Sequence, residues 1–426
     1  MRVLHVVKTT EGAEWAVRQA VELIKLGVEV HVALPTPKGL CLKAWIEARA
    51  KIHIVPLDFP VKAPWRLPEI CRSARKLVSE VAPDLIHSHF VGTTLVLRIS
   101  LGRDHPVPRT FQIPGPLHLE HRIPRALELS TAGGNDYWIC SSRCIWRHYE
   151  RAGIPASRLF LSFYGGHPWR YPAERTYVLR DMLGIAKHEL VVGNVSWMYP
   201  PKYYLGQRIG LKCHEDLIDA LAAVIRRRSD VVGVLAGGAW GGASWYEERL
   251  RARAKAAAGD RIKMPGFLPH DLVRCSWPDF DCAVHVPLSE NYGGAVEPLL
   301  AGVPTIAGRV GALPEVVIDG VTGKTVPVRR PAELADAVLE VLENLDQFRA
   351  MARTGQKLVS RMFDVRRTAQ EVYRIYHHLL DPSGPRPEAF DPCQSGLGVQ
   401  PSLNGRQARG AADYDTLTKP LCESPE

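Results

Sequence analysis

Short apolar runs that alternate with helical patterns are the feature that most constrains the fold of this chain. Residues 3–7 predict a buried strand, a glycine-containing turn leads into a helical pattern that Gly27 ends, and residues 28–34 predict the next strand. A strand, a helix and a strand within about 35 residues indicate a βαβ unit with a parallel sheet.

The same alternation recurs in two series. The predicted strands of the first series lie at 51–57, 85–89, 109–113, 137–140 and 159–163, and those of the second at 190–195, 231–236, 262–264, 282–286, 305–307 and 323–326. A polar stretch at 171–187 separates the series. We therefore expect an α/β fold with two doubly wound, Rossmann-like domains, 1–175 and 176–365. A helix over 366–380 could return to the first domain, and 381–426, rich in Pro, Gly, Ser and Gln, indicates a disordered tail.

The composition excludes several classes of protein. With 426 residues, of which 46% are hydrophobic and 23% charged, the chain has an ordinary globular composition. It has no uncharged apolar run of the roughly 18 residues that a membrane-spanning helix requires, and its start is too short in apolar residues for a signal peptide. Nine cysteines without paired spacing do not form a disulfide framework, and the pair Cys140 and Cys144 matches no common zinc pattern. We therefore expect a cytoplasmic protein.

The net charge of +9 comes entirely from the first predicted domain. Residues 1–175 hold 24 basic and 15 acidic side chains, whereas the remainder holds 30 of each. This excess predicts a phosphate-rich partner or an anionic membrane surface for the first domain, unless the charge is simply solvated.

A basic segment of the first domain suggests where a membrane could bind. Two basic runs, 62–66 and 72–76, flank a predicted helix whose apolar stripe includes Ile70 and Leu77, and Trp65 lies at its edge. Such a pattern suits the interface of an anionic bilayer. The alternative is that the stripe packs on the domain's own sheet while the basic side chains remain in solvent.

The segment with the most chemical information follows the predicted strand at 282–286. Its sequence is Ser289-Glu290-Asn291-Tyr292-Gly293-Gly294-Ala295-Val296-Glu297. We predict a helix that begins near Gly294, where free N–H groups and the helix dipole favour a diphosphate. Glu290 and Glu297 could then bind sugar or ribose hydroxyls. The alternative is a tight loop before a helix start that favours acidic residues.

Three further motifs accompany this segment. The sequence GALPEVVIDGVTG covers residues 311–323, LKCHEDLIDA covers 211–220, and PDLIHSHF covers 83–90. Together with the turn TTEGAE at 9–14, they strongly resemble glycosyltransferase family 4, over residues 1–380. The resemblance implies a GT-B fold, in which an acceptor domain and a nucleotide-sugar donor domain face a cleft. It also implies a retaining reaction that depends on a nucleotide sugar.

The resemblance also implies roles for individual residues. Glu297 corresponds to the carboxylate that holds the nucleotide ribose, Glu290 to the residue near the donor sugar, and Lys212 to the cation that neutralises the diphosphate. Gly12 corresponds to the glycine of the first strand–helix turn, which faces the cleft from the other domain, and it is counted among the donor-binding residues. Lys212 is followed by Cys213, where the family usually has glycine. The other implied donor-binding residues are Asn291, Tyr292, Gly293 and Gly294.

Besides Cys213, the chain departs from the family pattern at two further places in the donor site. The family has seven residues between its two glutamates, whereas Glu290 and Glu297 have six between them, so that Ser289 holds the usual first position. The family arginine before the lysine is not evident. Lys202 or Arg208 could replace it, because a diphosphate needs positive charge more than one particular side chain.

The loop at 114–121 follows a predicted strand and should therefore lie at the cleft. The family often has a functional histidine here. His118 is the first candidate and His121 the second, unless they are surface histidines without a role. The predicted catalytic set is thus His118, Glu290 and Lys212.

Two short motifs could suggest a metal. His87 and His89 lie two residues apart at a strand end and so on one face, but no third ligand is evident and the family has the same pattern without a metal. Asp279 and Asp281 form a DxD sequence, but they precede the strand at 282–286 and so lie away from the ligand edge. We therefore expect no metal cofactor.

The sequence thus predicts a metal-independent, hexosyltransferase-like enzyme that moves a sugar from a nucleotide-sugar donor to a saccharide or lipid-linked acceptor. The implied pathway is the synthesis of cell-envelope or exported polysaccharide, with peripheral attachment at the inner face of the membrane if the basic segment binds lipid. The alternative on the same scaffold is a sugar-nucleotide 2-epimerase, which needs no acceptor. A nucleic-acid partner is not expected, because no aromatic–basic interleaving or known module is present.

Overall fold

The computed structural model describes residues 1–168 and 171–391 of the chain. Residues Met1–Phe390 form one compact unit, which contains two parallel sheets with helices on their faces. From residue 392 onward, the predicted disordered tail at 381–426 lies outside the described residues.

The first sheet belongs to the N-terminal domain. Its strands are β1 Arg2–Val6, β2 Glu29–Leu34, β3 Lys51–Ile54, β4 Leu85–Ser88, β5 Arg109–Ile113, β6 Asp136–Cys140 and β7 Leu159–Leu161. They are all parallel and lie in the order β3-β2-β1-β4-β5-β6-β7. The direction of winding reverses between β1 and β4, and ligands of doubly wound sheets bind beside such a point.

The second sheet repeats this plan in the C-terminal domain. Its strands are β8 Leu190–Val195, β9 Val231–Ala236, β10 Ile262–Gly266, β11 Cys282–His285, β12 Thr305–Gly308 and β13 Lys324–Val326. They are also parallel, in the order β10-β9-β8-β11-β12-β13. The reversal lies between β8 and β11, so the loops after these two strands border the second ligand edge.

The helices connect the strands and cover both sheets. Those of the first domain are α1 Glu14–Lys25, α2 Leu42–Glu47, α3 Leu67–Val81, α4 Val91–Leu101, α5 Leu117–Glu120, α6 Arg122–Ser130 and α7 Arg143–Arg151. Those that follow are α8 Val178–Leu183, α9 His214–Arg227, α10 Ser244–Ala258, α11 His270–Ser276, α12 Val296–Leu300, α13 Pro331–Glu343, α14 Leu345–Met362 and α15 Val365–Leu380.

Strand β1 shows why these segments form buried strands. Val3 packs into a cluster with residues of α1 and α15, whereas Leu4 and Val6 pack with residues of α3 and α4. Successive side chains of a strand point to opposite faces, and helices cover both faces of this sheet. The strand therefore needs a continuous apolar run instead of an alternating one.

The last described helix, α15, packs on the first sheet although it follows the second domain in the chain. Its residues Val372, Ile375 and Leu379 lie in the same apolar cluster as Val3 and Ala16. The helix predicted over 366–380 therefore lies against α1.

The basic segment of the first domain forms α3. Ile70 and Leu77 are buried in the cluster beneath this helix, so its apolar stripe packs on the domain's own sheet, as the alternative interpretation stated. Trp65, just before α3, and the basic residues Arg72 and Lys76 remain exposed. Among the described residues, no helix is both long enough and apolar enough to cross a membrane.

The predicted fold class, two Rossmann-like parallel sheets in series, is confirmed. The helix predicted to begin near Gly294 instead begins at Val296 and has only five residues. Gly294 has a φ of +79°, which a right-handed helix does not accommodate. The chain must therefore turn once more before this helix can start.

Candidate active site

The candidate site lies where loops from both domains meet at the carboxyl ends of their strands. The second domain contributes the loop after β11, which carries Glu290, and the end of the loop after β8, which carries Lys212. The first domain contributes the turn after β1 and the short helix α5 after β5. This is the edge at which ligands of open α/β sheets bind.

Glu290 is the centre of a charged cluster in the second domain. Lys212 Nζ donates a hydrogen bond to Glu290 Oε2, and His285 Nε2 lies 2.9 Å from the same oxygen. Burial acts to raise the pKa of Glu290, but Lys212 and His285 outweigh it and lower the pKa to about 2. Glu290 is therefore ionised at neutral pH, and its carboxylate holds the Lys212 ammonium at the cleft.

Two glycines allow the chain to bring these groups together. A Cβ at Gly294 would lie 2.4 Å from the ring of His285, and a Cβ at Gly311 would lie 1.8 Å from the carbonyl oxygen of Glu290. Both residues also have positive φ, which glycine adopts without steric cost. Cys213 has a φ of +51° too, so a glycine would suit that position as well.

Glu297 lies in the first turn of α12. Trp277 Nε1 donates a hydrogen bond to Glu297 Oε2 at 3.3 Å, and Tyr171 forms a side-chain hydrogen bond with the same residue. Glu297 is only half-buried, so the aromatic residues hold a carboxylate that solvent can still reach. Such a group can accept hydrogen bonds from hydroxyls of a ligand.

Asn291 and Tyr292 are predicted donor-binding residues, but the structure uses their side chains elsewhere. Asn291 Nδ2 donates to Ser141 Oγ of the first domain at 2.9 Å. The Tyr292 ring packs against Phe163 and Phe363 and is almost fully buried. The amide nitrogen of Asn291 and the Tyr292 ring are thus engaged within the protein, whereas Asn291 Oδ1 is buried and forms no hydrogen bond among the described residues.

Glu315, within the GALPE motif, joins the two domains. Its carboxylate accepts hydrogen bonds from the backbone N–H groups of Arg143 and Cys144 at the start of α7, at 3.1 and 2.6 Å, and from the Tyr292 hydroxyl at 2.5 Å. Burial raises the pKa of Glu315. The sequence analysis did not single out this residue, although its place in a family motif was the available signal.

Three lysines from both domains share the cleft. Burial lowers the pKa of Lys202, and the charges of Lys8 and Lys212 lower it further, so the three ammonium groups interact electrostatically. Lys8 lies two residues after the end of β1, and this position near a strand end was a signal that the sequence analysis did not use. Arg208, the other candidate replacement for the family arginine, is exposed on the loop after β8.

Gly12 faces the second domain across the cleft. A Cβ at this position would lie 3.9 Å from Cη2 of Trp240. The carbonyl oxygen of Gly12 accepts a hydrogen bond from Cys41 Sγ at 3.2 Å, which fixes the turn after β1. The structure thus places Gly12 at the interdomain boundary.

The two candidate histidines of the first domain, His118 and His121, lie in different surroundings. His118 packs beside Phe111 and contacts the Tyr149 hydroxyl through Nε2 at 3.2 Å, and burial lowers its pKa to about 4. His118 is therefore neutral at physiological pH and directed into its own domain. His121 is close enough to Lys202 for that charge to lower its pKa, in addition to burial. Of the two, His121 is the one near the residues of the second domain.

Glu120 reaches the second domain from the end of α5, and the sequence analysis did not single it out. Its carboxyl group forms a side-chain hydrogen bond with Ser289. Burial raises the pKa of Glu120 to about 7, and the neighbouring Glu290 charge acts in the same direction, against the effect of Ser289. Near neutral pH this carboxyl can therefore both hold and release a proton. Its place in the loop at 114–121, after a predicted strand, was the available signal, but its contact with Ser289 comes from the other domain and could not be predicted locally.

Asp279 and Asp281 lie at the opposite end of β11 and have structural roles. Asp279 accepts hydrogen bonds from backbone N–H groups at the start of α8, among them that of Leu179 at 2.8 Å. Asp281 forms buried ion pairs with Arg175 at 2.6 Å and Arg180 at 2.7 Å. Both carboxylates are thus occupied away from the cleft.

Two family models match this chain. The model described as Glycosyltransferase Family 4 covers residues 12–161, and the one described as Glycosyl transferases group 1 covers residues 203–344. One match therefore falls on each of the two sheets.

A curated relative and two solved structures are similar to the chain. The D-inositol 3-phosphate glycosyltransferase of Frankia alni is 31% identical over 188 residues, which are 42% of this chain and 46% of that protein. The chain therefore spans less than half the length of this relative. Anabaena HepE, solved in complex with UDP and glucose, matches with a TM-score of 0.72 at 20% identity, over 88% of this chain and 99% of that one. Sucrose-phosphate synthase from Thermosynechococcus elongatus matches with a TM-score of 0.73 at 17% identity, over 90% and 100% of the two chains.

The structural likenesses establish the fold, and the sequence matches establish the family. Both domains match a glycosyltransferase model, in the order in which the sequence motifs predict them. The resemblance drawn from the sequence is confirmed: the chain belongs to the family-4, group-1 glycosyltransferases and has their GT-B fold.

Proposed function

We propose that the chain is a retaining glycosyltransferase, which moves a sugar from a nucleotide-sugar donor to a saccharide or lipid-linked acceptor. The observation that carries this proposal is the arrangement of Lys212, Glu290 and Glu297 along the ligand edge of the second sheet. The family membership supports it, as does the fold shared with HepE, which was solved with UDP and glucose.

Lys212 is the group that would meet the donor diphosphate. Its ammonium is held in the cleft by Glu290, and Lys202 adds a second positive charge nearby. When a diphosphate enters, its oxygens compete with Glu290 for Lys212, and the Lys212 ammonium then stabilises the negative charge that develops on the leaving diphosphate. Glu290, once released, can accept a hydrogen bond from a hydroxyl of the donor sugar. The two lysines would thus supply the positive charge that a divalent cation could otherwise provide, so no metal is needed at this site.

Glu297 would hold the nucleoside end of the donor. Trp277 and Tyr171 keep its carboxylate at the start of α12, on the same segment as Glu290. A carboxylate fixed in this way can accept hydrogen bonds from two adjacent ribose hydroxyls, and it accepts them more strongly than a neutral group does. The sugar ring would then extend from the ribose and diphosphate towards Glu290.

The acceptor would approach from the first domain, where Glu120 and His121 face Ser289 and Lys202. Glu120 is the carboxyl group of this cleft whose pKa lies near neutrality. In its ionised form it can accept a hydrogen bond from an acceptor hydroxyl and make that oxygen a better nucleophile. His118, which is directed inward, would support the α5 loop instead of contacting the acceptor.

We further infer that the acceptor is presented at an anionic membrane surface, in the synthesis of envelope or exported polysaccharide. Arg72 and Lys76 are exposed on α3, and the exposed Trp65 lies beside them. Each basic side chain near an anionic surface contributes about 1 kcal/mol to binding. Because the apolar stripe of α3 is buried, this attachment would depend on charge and would weaken as salt is added.

The proposal is tested by incubating the protein with UDP-, GDP- and ADP-sugars, with and without free or lipid-linked saccharides, while nucleoside diphosphate release is measured. We expect release that depends on an acceptor, and a product with the same anomeric configuration as the donor. Conversion of the donor sugar without any acceptor would replace this function by that of a 2-epimerase. The Lys212→Met variant should lose the release, whereas Lys255→Met, at an exposed position of α10, should retain it.

A further inference from the structure

A buried histidine interrupts the apolar strand that leads to the donor site. His285 is the last residue of β11 and is only 1% exposed, whereas Val284 and Val286 on either side of it are buried apolar residues. A polar ring in such a place costs stability unless its nitrogen atoms find partners. Packing alone therefore does not explain why a histidine occupies this position.

One nitrogen of this ring has a hydrogen-bond partner among the described residues and the other has none. His285 Nε2 lies 2.9 Å from Glu290 Oε2, whereas the buried Nδ1 forms no hydrogen bond there. Burial is the largest effect on the pKa of His285 and lowers it, so the ring is neutral at physiological pH. A neutral ring carries its proton on one nitrogen, and Glu290 can accept it from Nε2. His285 therefore donates a hydrogen bond to Glu290.

The two carboxylate oxygens of Glu290 have different partners. Oε1 accepts a hydrogen bond from the backbone N–H of Asn291 at 3.0 Å. Oε2 accepts hydrogen bonds from both Lys212 Nζ and His285 Nε2. Of these donors, the lysine ammonium is carried on a flexible four-carbon side chain, whereas the other two are a backbone group and a buried ring. Lys212 is thus the donor that can leave while the carboxylate remains held.

The loop after β11 keeps the histidine ring in its place. A Cβ at Gly294 would lie 2.4 Å from Cε1 and Nδ1 of His285, so no side chain fits between the backbone of residue 294 and the ring. On the same loop, a Cβ at Gly293 would lie 3.2 Å from Glu290 Oε1. The ring therefore cannot turn away from Glu290 without displacing the loop that carries this glutamate.

We propose that His285 is a positioning residue, which holds the Glu290 carboxylate in place when Lys212 moves to the donor diphosphate. This inference rests on the proposed function. In the free protein, Lys212 and His285 share Glu290 Oε2. Once the diphosphate binds Lys212, the place beside Oε2 that the ammonium leaves can receive a hydroxyl of the donor sugar. The carboxylate meets this hydroxyl only if it does not move, and the buried N–H of His285 fixes it.

The same hydrogen bond helps to keep Glu290 ionised after the exchange. Burial acts to raise the pKa of Glu290, and Lys212 and His285 oppose it. When Lys212 turns to the diphosphate, its hydrogen bond to the carboxylate is lost, and His285 still donates to it. A protonated Glu290 would accept a hydrogen bond from the sugar more weakly than the carboxylate does.

The test compares His285→Met with His285→Gln in the purified full chain. Both replacements are unbranched and similar in size, but only glutamine has an N–H donor. We expect His285→Met to lower kcat for acceptor-dependent release from the preferred UDP-, GDP- or ADP-sugar by on the order of tenfold, as for the loss of a hydrogen bond to a charged group. The calorimetric affinity for the corresponding nucleoside diphosphate should change much less, because Lys212 and Glu297 still bind it. His285→Gln should restore most of kcat.

Two controls show whether the effect passes through Glu290. In a Glu290→Ala background, His285→Met should lower kcat little further, because the histidine acts through the carboxylate that is already missing. His270→Leu, at the exposed start of α11, should match the wild type in both kcat and nucleotide affinity.

The possible outcomes separate this role from the proposed function. An undiminished kcat in His285→Met, an equal loss in His285→Met and His285→Gln, or additive effects of His285→Met and Glu290→Ala would overturn the role of His285 alone. If His285→Met does not fold, a folded His285→Gln variant with a strongly reduced kcat would overturn it, and one that keeps kcat would support it. A wild-type chain without acceptor-dependent release would contradict the proposed function and, with it, this role.

Discussion

Replacing Glu120 by glutamine should stabilise the chain at alkaline pH more than at acidic pH. Burial raises the pKa of this carboxyl from 4.5 to about 7 in the folded chain, whereas in the unfolded chain it should titrate near 4.5. Between these values the folded state retains a proton that the unfolded state has lost, so the free energy of unfolding falls as the pH rises. The full difference corresponds to about 3 kcal/mol above the folded-state pKa. Glutamine resembles the protonated form and removes this loss.

The assay is urea unfolding of the wild type and Glu120→Gln at intervals between about pH 5 and about pH 8. The stability of the variant relative to the wild type should grow over this range and level off above it. Glu248→Gln, at an exposed position of α10, is the control and should change neither the stability nor its slope. If the wild type and Glu120→Gln respond to pH in parallel, Glu120 does not carry a raised pKa and the reasoning fails.

The same titration should appear in the catalytic rate if Glu120 assists the acceptor. The rate of the wild type should rise with pH through about 7, because only the ionised carboxylate can accept the acceptor hydrogen bond. The Glu120→Gln variant should be slower and should lack this rise. If the Glu120→Gln variant keeps this rise of the rate with pH, the rise comes from the titration of another group.

Three more predictions follow from the contacts described. Sugar transfer should persist in EDTA, because Asp279 and Asp281 are occupied structurally; loss of activity that Mn²⁺ or Mg²⁺ restores would show a metal at the donor site. The protein should sediment with anionic but not neutral liposomes at low salt, and Lys76→Glu should weaken this binding. If the protein does not bind anionic vesicles at low salt, the membrane proposal is wrong. Glu315→Ala should lower the free energy of unfolding by about 1–3 kcal/mol in urea, since it leaves buried donors unpaired, whereas Glu333→Ala at an exposed position should not.

Much of the fold could be predicted because fully covered parallel strands have a simple sequence pattern. The runs at 109–113, 190–195 and 231–236 correspond to β5, β8 and β9 with the same bounds. The runs at 190–195 and 231–236 are short and mostly apolar, whereas 109–113 also contains Arg109, Thr110 and Gln112. Helices cover both faces of each sheet. The helix expected near Gly294 begins two residues later, at Val296. Gly294 has a left-handed backbone conformation, and the sequence did not predict that conformation.

The residues of the candidate site that lie in local motifs could be predicted, whereas the contacts between distant residues could not. Lys212, Glu290 and Glu297 belong to local motifs, so their common location at one strand edge followed from the sequence. The contact between Glu120 and Ser289 joins residues that are far apart in the chain. Such contacts depend on how strands and domains pair, which no local pattern encodes. For the same reason, the sequence could not show that the Asn291 side chain bonds to Ser141 of the first domain or that the Tyr292 ring is buried.

The central claim is that Glu297 and Lys212 bind the nucleotide of the donor. The most direct measurement is the calorimetric affinity of UDP, GDP and ADP for the wild type, Glu297→Ala and Lys212→Ala, with the exposed Lys255→Ala as control. Hydrogen bonds to a charged group are worth about 1.5–3 kcal/mol, so each site variant should bind the preferred nucleotide at least about tenfold more weakly, and the control should not change. Unchanged affinity in both Glu297→Ala and Lys212→Ala would contradict the assignment of the donor site.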